Sequence, residues 1–406
     1  MTTLRPSAFE RRLPRRQAGV ANVTRAHAFA AGLVGLICLG AAPTLANDLR
    51  VPVPCSPCIG GSDGATRFNF TAPGSPTPLP GPGVDDLTGR RVDLLIDQKL
   101  KREVFNWSSF DIGADAEVYF KQRVLDADGN STAQVDPTKT AINIIREGDV
   151  PSEILGVLRA DGQVYLLNPN GVLFRPGAQV DLNTLVVSGI PFSADADPLA
   201  DDIFAFGRDP DVGALFDATD EAGEVIVEEG ARVIARENGR IVLIGRNVVN
   251  GGRLEASGPG GQVLLVAGED EVYLITDEPV GSSAVENTPV RGLDVAVNEG
   301  GTATNNGVIQ VGPGNVTLAG RIVNQNGVVR ATTAVNANGS VRLLARDNAV
   351  PNGPAEPDLT GAEFGEVNFG EDSLTEVTLG DNGEQTATDA QSFPGAQIFA
   401  NARRIR

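Results

Sequence analysis

A glycine-led pattern recurs in the second half of the chain and limits the folds that it can adopt. It begins at Gly239, Gly261, Gly314 and Gly339, and each glycine is followed by Ile or Val two positions later and by Leu four positions later. The first two copies start 22 residues apart and the last two start 25 residues apart. This alternation predicts β-strands that place Ile/Val and Leu on one face, because successive side chains of a strand point to opposite sides.

A second set of short segments lies between these copies, and Asn-Gly pairs open them at 250–251, 306–307 and 326–327. We expect the repeat glycines and the Asn-Gly pairs to form corners with positive φ. A period in the low twenties with several short strands predicts a solenoid of stacked coils, because one coil cannot bury its own apolar face. A sandwich or barrel also contains short strands and turns. The fixed offset of the apolar positions from glycine favours the solenoid.

The same pattern occurs upstream at Gly162-x-Val164-x-Leu166 and there runs into Asn168-Pro169-Asn170-Gly171. Asn at the first position of a turn can bond its own backbone, Pro at the second fixes φ, and Gly suits the fourth position of a type I turn. A second apolar run starts at Val172. Turn chemistry alone therefore predicts a strand, a tight turn and a strand.

Charge excludes some classes of partner. The 406-residue chain has a formal net charge of -19, and its lysines all lie between Lys99 and Lys139. Nucleic acids and anionic membranes are bound through Lys and Arg, so we expect neither as a partner.

The N-terminus has the features of an export signal. A basic region precedes the small-residue apolar run Ala28–Ala42, and Thr44-Leu45-Ala46 places small residues where a signal peptidase acts. We therefore predict a signal peptide over residues 1–46, with cleavage after Ala46. A membrane anchor is the alternative, but the apolar run is short for a membrane span. Residues 47–91 are predicted to be an irregular leader rich in Pro and Gly.

Cys55 and Cys58 form a C-x-x-C pair in this leader. Such a pair can be a redox motif, half of a zinc site or a small structural loop. No second pair completes a zinc site, and an exported chain favours a short disulfide. We predict a Cys55–Cys58 disulfide and no metal site.

Residues 193–221 interrupt the repeats and are crowded with Asp, so we expect an excursion from the coils. Carboxylates could bind calcium there, but their spacing is irregular, and a solvated acidic loop is the favoured interpretation. Asp126-Ala-Asp128-Gly-Asn130 resembles a calcium loop, but its Gly is at the fourth position instead of the sixth, which favours a turn.

The sequence offers little for catalysis. The single histidine, His27, falls within the predicted signal peptide, which excludes His-dependent triads in the mature chain. A carbohydrate-active β-helix enzyme would use paired carboxylates. The candidate pairs Asp201/Asp202 and Glu228/Glu229 are adjacent, and on a strand they would face opposite sides. We predict no catalytic residues and no cofactor, with this enzyme as the alternative.

Several segments resemble one protein family, the secretion domain of filamentous haemagglutinin-like exoproteins, which are the passengers of bacterial two-partner secretion. The resemblance covers roughly residues 92–350 and is strongest around the Asn168–Gly171 turn. The matching segments are Phe105–Gly113, Glu117–Phe120, Ser152–Gly156, Asp161–Phe174, Gly177–Ser188, Asp195–Phe206 and Glu228–Ala267.

The resemblance implies an all-β right-handed parallel β-helix with an N-terminal cap and short excursions. It suggests a two-partner secretion domain over residues 92–270 and further β-helix coils over 271–406. Exoproteins of this family are much longer, and Ala396–Arg406 looks like the start of another coil. These two features favour a fragment of a longer exoprotein.

The resemblance also implies a route and a partner. The chain would cross the periplasm, where an outer-membrane β-barrel transporter with periplasmic domains recognises the secretion domain. It would then fold outside the cell with its first coils as template. The passenger is expected to be an adhesin or haemagglutinin-like protein, extracellular or at the bacterial surface, with a host or neighbouring cell as target. The recognition residues implied by the family motif are Asn168, Pro169, Asn170 and Gly171, followed by Asn183 and Leu185.

Overall fold

Strands follow one another in a fixed order around three sheets. The computed structural model describes residues 48–55, 81–146, 148–193, 216–217, 222–236, 238–256, 258, 260–276, 293–333, 339–351, 357–358, 361–380 and 396–406. Asn47–Arg406 forms one compact unit, and the predicted signal peptide lies outside the described residues. Within these ranges there is no helix, and so none that could cross a bilayer.

We number the sheets in the order in which the chain visits them after residue 162. Sheet 1 contains β1 (Val53–Pro54), β4 (Arg102–Ser109), β7 (Thr140–Ile145), β10 (Gln163–Leu167), β13 (Thr184–Ser188), β17 (Arg240–Gly245), β20 (Gln262–Ala267), β25 (Asn315–Gly320), β28 (Ser340–Asp347), β31 (Glu363–Phe364) and β34 (Gln397–Asn401).

Sheet 2 contains β8 (Ser152–Ile154), β11 (Gly171–Phe174), β15 (Glu224–Val227), β18 (Asn247–Asn250), β23 (Thr302–Asn305), β26 (Ile322–Gln325), β32 (Glu366–Phe369) and β35 (Arg404–Ile405). Sheet 3 contains β2 (Gly81–Val84), β3 (Arg91–Gln98), β5 (Glu117–Leu125), β6 (Ser131–Val135), β9 (Val157–Ala160), β12 (Gln179–Leu182), β16 (Arg232–Ala235), β19 (Arg253–Ala256), β24 (Val308–Pro313), β27 (Val328–Thr333) and β33 (Leu374–Leu379). Two small sheets complete the described strands: β14 (Phe216–Asp217) with β21 (Glu271–Thr276) and β22 (Leu293–Val297), and β29 (Val350–Pro351) with β30 (Pro357–Asp358).

One coil consists of a strand from each of the three sheets. The chain passes from β10 to β11 and β12 and then returns to sheet 1 as β13, which pairs in parallel with β10. Each coil therefore advances by the spacing of paired strands, about 4.8 Å. The predicted parallel β-helix is confirmed.

The glycine-led copies stack in the predicted register. In sheet 1, Ile241 pairs with Val263, Val263 with Val316, and Val316 with Val341. The upstream copy belongs to the same column, since Val164 pairs with Leu185 and Leu185 with Ile241. These side chains are fully buried inside the β-helix.

Glycine recurs at these positions for a reason other than the positive φ that we expected. Gly314 and Gly307 are not among the described glycines with positive φ. Instead, a Cβ on Gly314 would lie 1.9 Å from the carbonyl oxygen of Gly261, and one on Gly307 would lie 2.1 Å from that of Gly252. The corners of successive coils stack so closely that no side chain fits between their backbones. The expected positive-φ corners are therefore wrong at these positions.

The central strands of sheet 1, from β10 to β28, are buried on both faces, which the one-sided pattern did not predict. Residues between the inward positions, such as Val242 and Leu264, form a second apolar cluster on the outer face. The hairpin β21–β22 supplies Leu274 and Val295 to this cluster, and Phe216 of β14 joins it. Of the predicted 193–221 excursion, the structure describes only Ser193, Phe216 and Asp217.

The first coils contain an aromatic core closed by N-terminal strands. Trp107 packs edge-on against Phe110 at 5.5 Å between ring centroids, and its Nε1 donates to Asn143 Oδ1 at 2.9 Å. Above them, β1 pairs antiparallel with β4, and β2 pairs antiparallel with β3. We call Asp48–Cys55, which contains β1, the cap segment.

Candidate functional site

Asn168–Gly171 forms the corner between β10 and β11. The Gly171 N–H donates to the Asn168 carbonyl oxygen at 2.8 Å, which closes a four-residue turn as predicted. Gly171 has a φ of 105°, and a Cβ on it would lie 2.5 Å from the carbonyl oxygen of Glu224 in the next coil. Both backbone conformation and stacking therefore require glycine here.

The Asn168 side chain holds the corner to the preceding coil. It is 1% exposed, and its Nδ2 donates to Ser152 Oγ at 3.0 Å and to the Val150 carbonyl oxygen at 3.3 Å. Its Oδ1 accepts the Asn170 N–H at 3.0 Å, which is the Asx-turn bond expected from the sequence. All the polar atoms of this amide are therefore used within the β-helix.

The other two corner residues are more accessible. Pro169 is exposed, and Asn170 is half-buried. Asn170 Nδ2 donates to the Gly148 carbonyl oxygen at 3.2 Å and to Asn168 Oδ1 at 3.2 Å. The corner thus presents a proline and part of one amide to solvent.

Asn183 and Leu185 lie elsewhere on the coil. The Asn183 N–H donates to the Gly162 carbonyl oxygen at 3.0 Å, whereas the Asn168 N–H donates to that of Ser188. These contacts are at opposite ends of β13, a separation of roughly 16 Å for a five-residue strand. Leu185 is fully buried in the interior. The structure therefore does not bring these two residues together with the corner.

Sequence reasoning missed the residues that hold the corner, namely Gly148, Val150 and Ser152. Gly148 and Val150 lie in the loop before β8, and Ser152 is the first residue of β8, so their contacts with Asn168 and Asn170 are not local. Val150 is 59% exposed and places an apolar side chain beside the turn. The only sequence signal was that Ser152 opens one of the family-like segments.

A ladder of ion pairs crosses the coils beside sheet 2. Arg175 donates to Glu153 at 2.5 Å and to Glu228 at 2.6 Å, and Arg50 of the cap segment lies 3.6 Å from Glu153. The hydrogen bond from Arg175 lowers the pKa of Glu153 despite partial burial. Glu228 and Glu229 follow β15 in a turn rather than on a strand, which corrects our expectation for that pair. Asp201 and Asp202 lie outside the described residues.

Two of the family-like segments meet in a buried polar network on sheet 3. Tyr119 Oη donates to Asp161 Oδ2 at 2.9 Å, and the guanidinium of Arg123 donates to both residues. Burial raises the pKa of the Tyr119 hydroxyl. Arg159 stacks on the Tyr119 ring at 4.5 Å and pairs with Glu117 at 2.6 Å. The network therefore links β5 to Asp161, which follows β9 in the neighbouring coil.

Cys55 is buried and disulfide-bonded. Cys58 lies outside the described residues, so the pairing of these two cysteines stays a prediction. The predicted turn at Asp126 is present, because Asp126 Oδ1 accepts the N–H groups of Asp128 at 3.0 Å and Asn130 at 2.8 Å. Within the described ranges, no group of His, Cys, Asp or Glu side chains is arranged to hold a metal ion.

Comparison with known families places this corner in a secretion domain. The family model described as the TPS secretion domain, where TPS stands for two-partner secretion, matches residues 93–343. The chain belongs to the TPS secretion domain family. Membership implies export through the periplasm to the cell exterior, with an outer-membrane transporter as partner. The resemblance inferred from the sequence is therefore confirmed.

Two curated relatives are similar to most of this TPS chain, and both are named heme/hemopexin-binding protein. The protein of Haemophilus influenzae strain Rd is 28% identical over 319 residues, covering 76% of this chain and 31% of that protein. A second Haemophilus influenzae protein is 28% identical over 328 residues, covering 76% of this chain and 32% of that protein. The chain thus spans about a third of the length of these relatives.

Among solved structures, the HMW1 secretion domain from Haemophilus influenzae aligns with a TM-score of 0.46 and 19% sequence identity. The alignment covers 79% of this chain and 71% of that chain.

Proposed function

We propose that the outer-membrane transporter recognises the Asn168–Gly171 segment while the chain is still unfolded. The burial of Asn168 carries this proposal. Its amide is 1% exposed and fully bonded within the β-helix, so a partner can contact it only before the corner forms. After folding, the same residues act as a structural corner.

The flanking strands suit recognition by strand addition. Gln163–Leu167 and Gly171–Phe174 are both strand-forming, and in the β-helix each pairs with strands on both sides. Before folding, their backbone N–H and C=O groups are free to pair with a strand edge in the periplasmic domains of the transporter. Pairing with the transporter and pairing within the coil then exclude each other, which releases the segment as the β-helix forms.

Folding outside the cell would proceed from the first coils. The aromatic core around Trp107 and the cap segment provide a closed end. The strands that build successive coils, such as β10, β13, β17 and β20, each pair in parallel with the strand of the coil before. Coil-by-coil folding from one end draws the chain outward as each coil forms. The N-terminal coils thereby act as the template proposed for this family.

For the passenger as a whole we propose a binding role, as an adhesin or haemagglutinin-like protein that contacts a host or neighbouring cell. The names of the two relatives describe binding of heme/hemopexin by those proteins and not catalysis, which supports a binding role. The carbohydrate-active enzyme stays the alternative. Against it, the Glu228 carboxylate is engaged by Arg175 at 2.6 Å on the outside of the coil.

The export proposal is tested in cells that express the chain with or without a partner transporter. We expect the full chain in the medium or at the cell surface only when the transporter is present, and in the periplasm otherwise. Equal release in both strains would contradict the proposal.

A further inference from the structure

The cap segment begins immediately after the predicted signal-peptidase site. Asp48 is the second residue after Ala46, and its backbone is already fixed on the first coil. The Asp48 N–H donates to Asp115 Oδ2 at 2.9 Å, and its carbonyl oxygen accepts the Asp115 N–H at 3.1 Å. Gly113 N–H donates to the Arg50 carbonyl oxygen at 2.9 Å.

The contact between Asp48 and Gly113 leaves no room for a side chain on Gly113. A Cβ on Gly113 would lie 2.1 Å from the Asp48 carbonyl oxygen and 2.4 Å from Asp48 Oδ1. The Asp48 carboxylate is held in turn by the Arg50 guanidinium, with both nitrogen–oxygen distances at 2.9 Å. The start of the cap segment is therefore packed against the coil as tightly as the corners of neighbouring coils are.

The rest of the cap segment closes the aromatic core. Val51 packs against the interior cluster, and Pro54 pairs with Trp107 in the register of β1 and β4. The Cys55 N–H then donates to the Asn106 carbonyl oxygen at 3.1 Å. Trp107 is fully buried and is the only tryptophan of the chain, so its environment reports whether the cap segment is in place.

We propose that the cap segment can close the first coil only after the signal peptide has been removed, so that processing permits folding of the N-terminal end. This inference rests on the predicted signal peptide and goes beyond the transport function. An extended chain spans at most about 3.6 Å per residue, so Asp48 stays within about 7 Å of the scissile bond. While the signal peptide is in the membrane, Asp48 is held at the membrane surface.

Two physical effects then keep the cap segment open. The peptidase cleaves an extended chain, and Asp48 cannot be extended in its active site and packed against Gly113 at the same time. A closed coil would also have to press against the bilayer, and a chain with net charge -19 is repelled by anionic lipid. Until cleavage, the open cap segment leaves the first coil without a closed end.

The test uses purified full-length precursor in vesicles of phosphatidylethanolamine and phosphatidylglycerol, with signal peptidase added. We expect Trp107 emission to shift to the blue and its quenching by acrylamide to fall after cleavage. Ala46→Leu, which blocks cleavage, should show neither change. A precursor whose Trp107 is already shielded before cleavage would overturn the inference.

Variants of the mature chain separate capping from general folding. Gly113→Ala should leave Trp107 accessible although the signal peptide is absent. Gly81→Ala is the matched control, because a Cβ there has no neighbour within 4 Å. If circular dichroism shows that Gly113→Ala does not fold, Asp115→Ala is used in its place. This variant removes the acceptor of the Asp48 N–H and should also leave Trp107 accessible. Full shielding of Trp107 in the folded variant would contradict the role of the cap segment.

This assay contains no transporter, so its outcome is independent of the export proposal. If release depends on the transporter but Trp107 is already shielded before cleavage, only the capping inference is excluded. If Trp107 becomes shielded only after cleavage but release does not depend on the transporter, only the export proposal is excluded.

Discussion

Asn168 and Ser152 join two neighbouring coils through a hydrogen bond of 3.0 Å from Nδ2 to Oγ. Asn168 is the first residue of the corner, whereas Ser152 opens the sheet 2 strand of the coil before it. The bond is formed only when both coils have folded. The Asn168 amide is therefore bonded to Ser152 in the folded chain but not in the unfolded chain. Substitutions of these two residues can separate recognition by the transporter from the stability of the folded corner.

We predict that Asn168→Ala lowers the free energy of unfolding by about 1–3 kcal/mol, because Ser152 Oγ and the Asn170 N–H lose a buried partner. Ser152→Ala should cost less, about 0.5–1.5 kcal/mol, since Asn168 Nδ2 keeps the Val150 carbonyl oxygen as acceptor. Urea unfolding of the single and double variants measures both effects. Additive losses would show that the two side chains are not coupled.

Gly307→Ala should destabilise the β-helix by about 1–3 kcal/mol, since the new Cβ overlaps the backbone of the coil below. The structure places that Cβ 2.1 Å from the Gly252 carbonyl oxygen. Thermal unfolding of Gly307→Ala beside Gly81→Ala, whose Cβ meets open space, checks the prediction. Equal midpoints for the two variants would contradict close stacking as the reason for glycine.

A buried amide ladder should matter more than an exposed one. Asn305 accepts from Asn250 Nδ2 and donates to Gln325 Oε1, both at 2.8 Å, and is fully buried. Asn305→Ala removes the acceptor of Asn250 Nδ2 and the donor to Gln325 Oε1, and should cost about 1–3 kcal/mol. The control is Asn324→Ala in the next coil, which is half-buried, bonds to Asn368 at 3.0 Å and should cost less. Urea unfolding compares them, and a larger loss for Asn324→Ala would be inconsistent with this ranking.

Stability should fall in acid through Asp85. Burial opposes ionisation of this carboxyl, but hydrogen bonds from Thr88, the Leu87 N–H and Arg159 hold its pKa below the ordinary value. A lowered pKa means that the contribution is complete above the unfolded pKa of about 3.9 and is lost as pH falls through the folded pKa. Asp85→Asn should therefore differ from wild type most at pH near 7 and least in strong acid. Urea unfolding across pH tests this, and a difference that grows in acid would contradict it.

The β-helix was predictable because its strongest determinants are periodic in the sequence. Val263 and Val316 pair as predicted, although the β21–β22 hairpin lies between them. The hairpin itself was not predicted. Residues such as Val242, which pack against it, occupy the positions between the inward side chains, and a pattern that counts only the inward face overlooks them.

The candidate site was predictable only in its local part. The Asx bond between Asn168 and Asn170 follows from two residues in a turn. The hydrogen-bond partners of the buried Asn168 side chain are Ser152 and Val150. Both come from another coil, and no local pattern specifies them. The burial of Leu185 in the interior likewise follows from the register of β13 and not from its nearness to the motif.

The most direct test of the central claim compares the export of Asn168→Ala, Asn170→Ala and Ser152→Ala in cells that contain the partner transporter. Ser152→Ala weakens the folded corner but leaves the Asn168–Gly171 segment unchanged. If the transporter recognises this segment before folding, both Asn variants will be retained in the periplasm and Ser152→Ala will be exported like wild type. Loss of export by Ser152→Ala in parallel with Asn168→Ala, or normal export of all three, would contradict recognition of the unfolded segment.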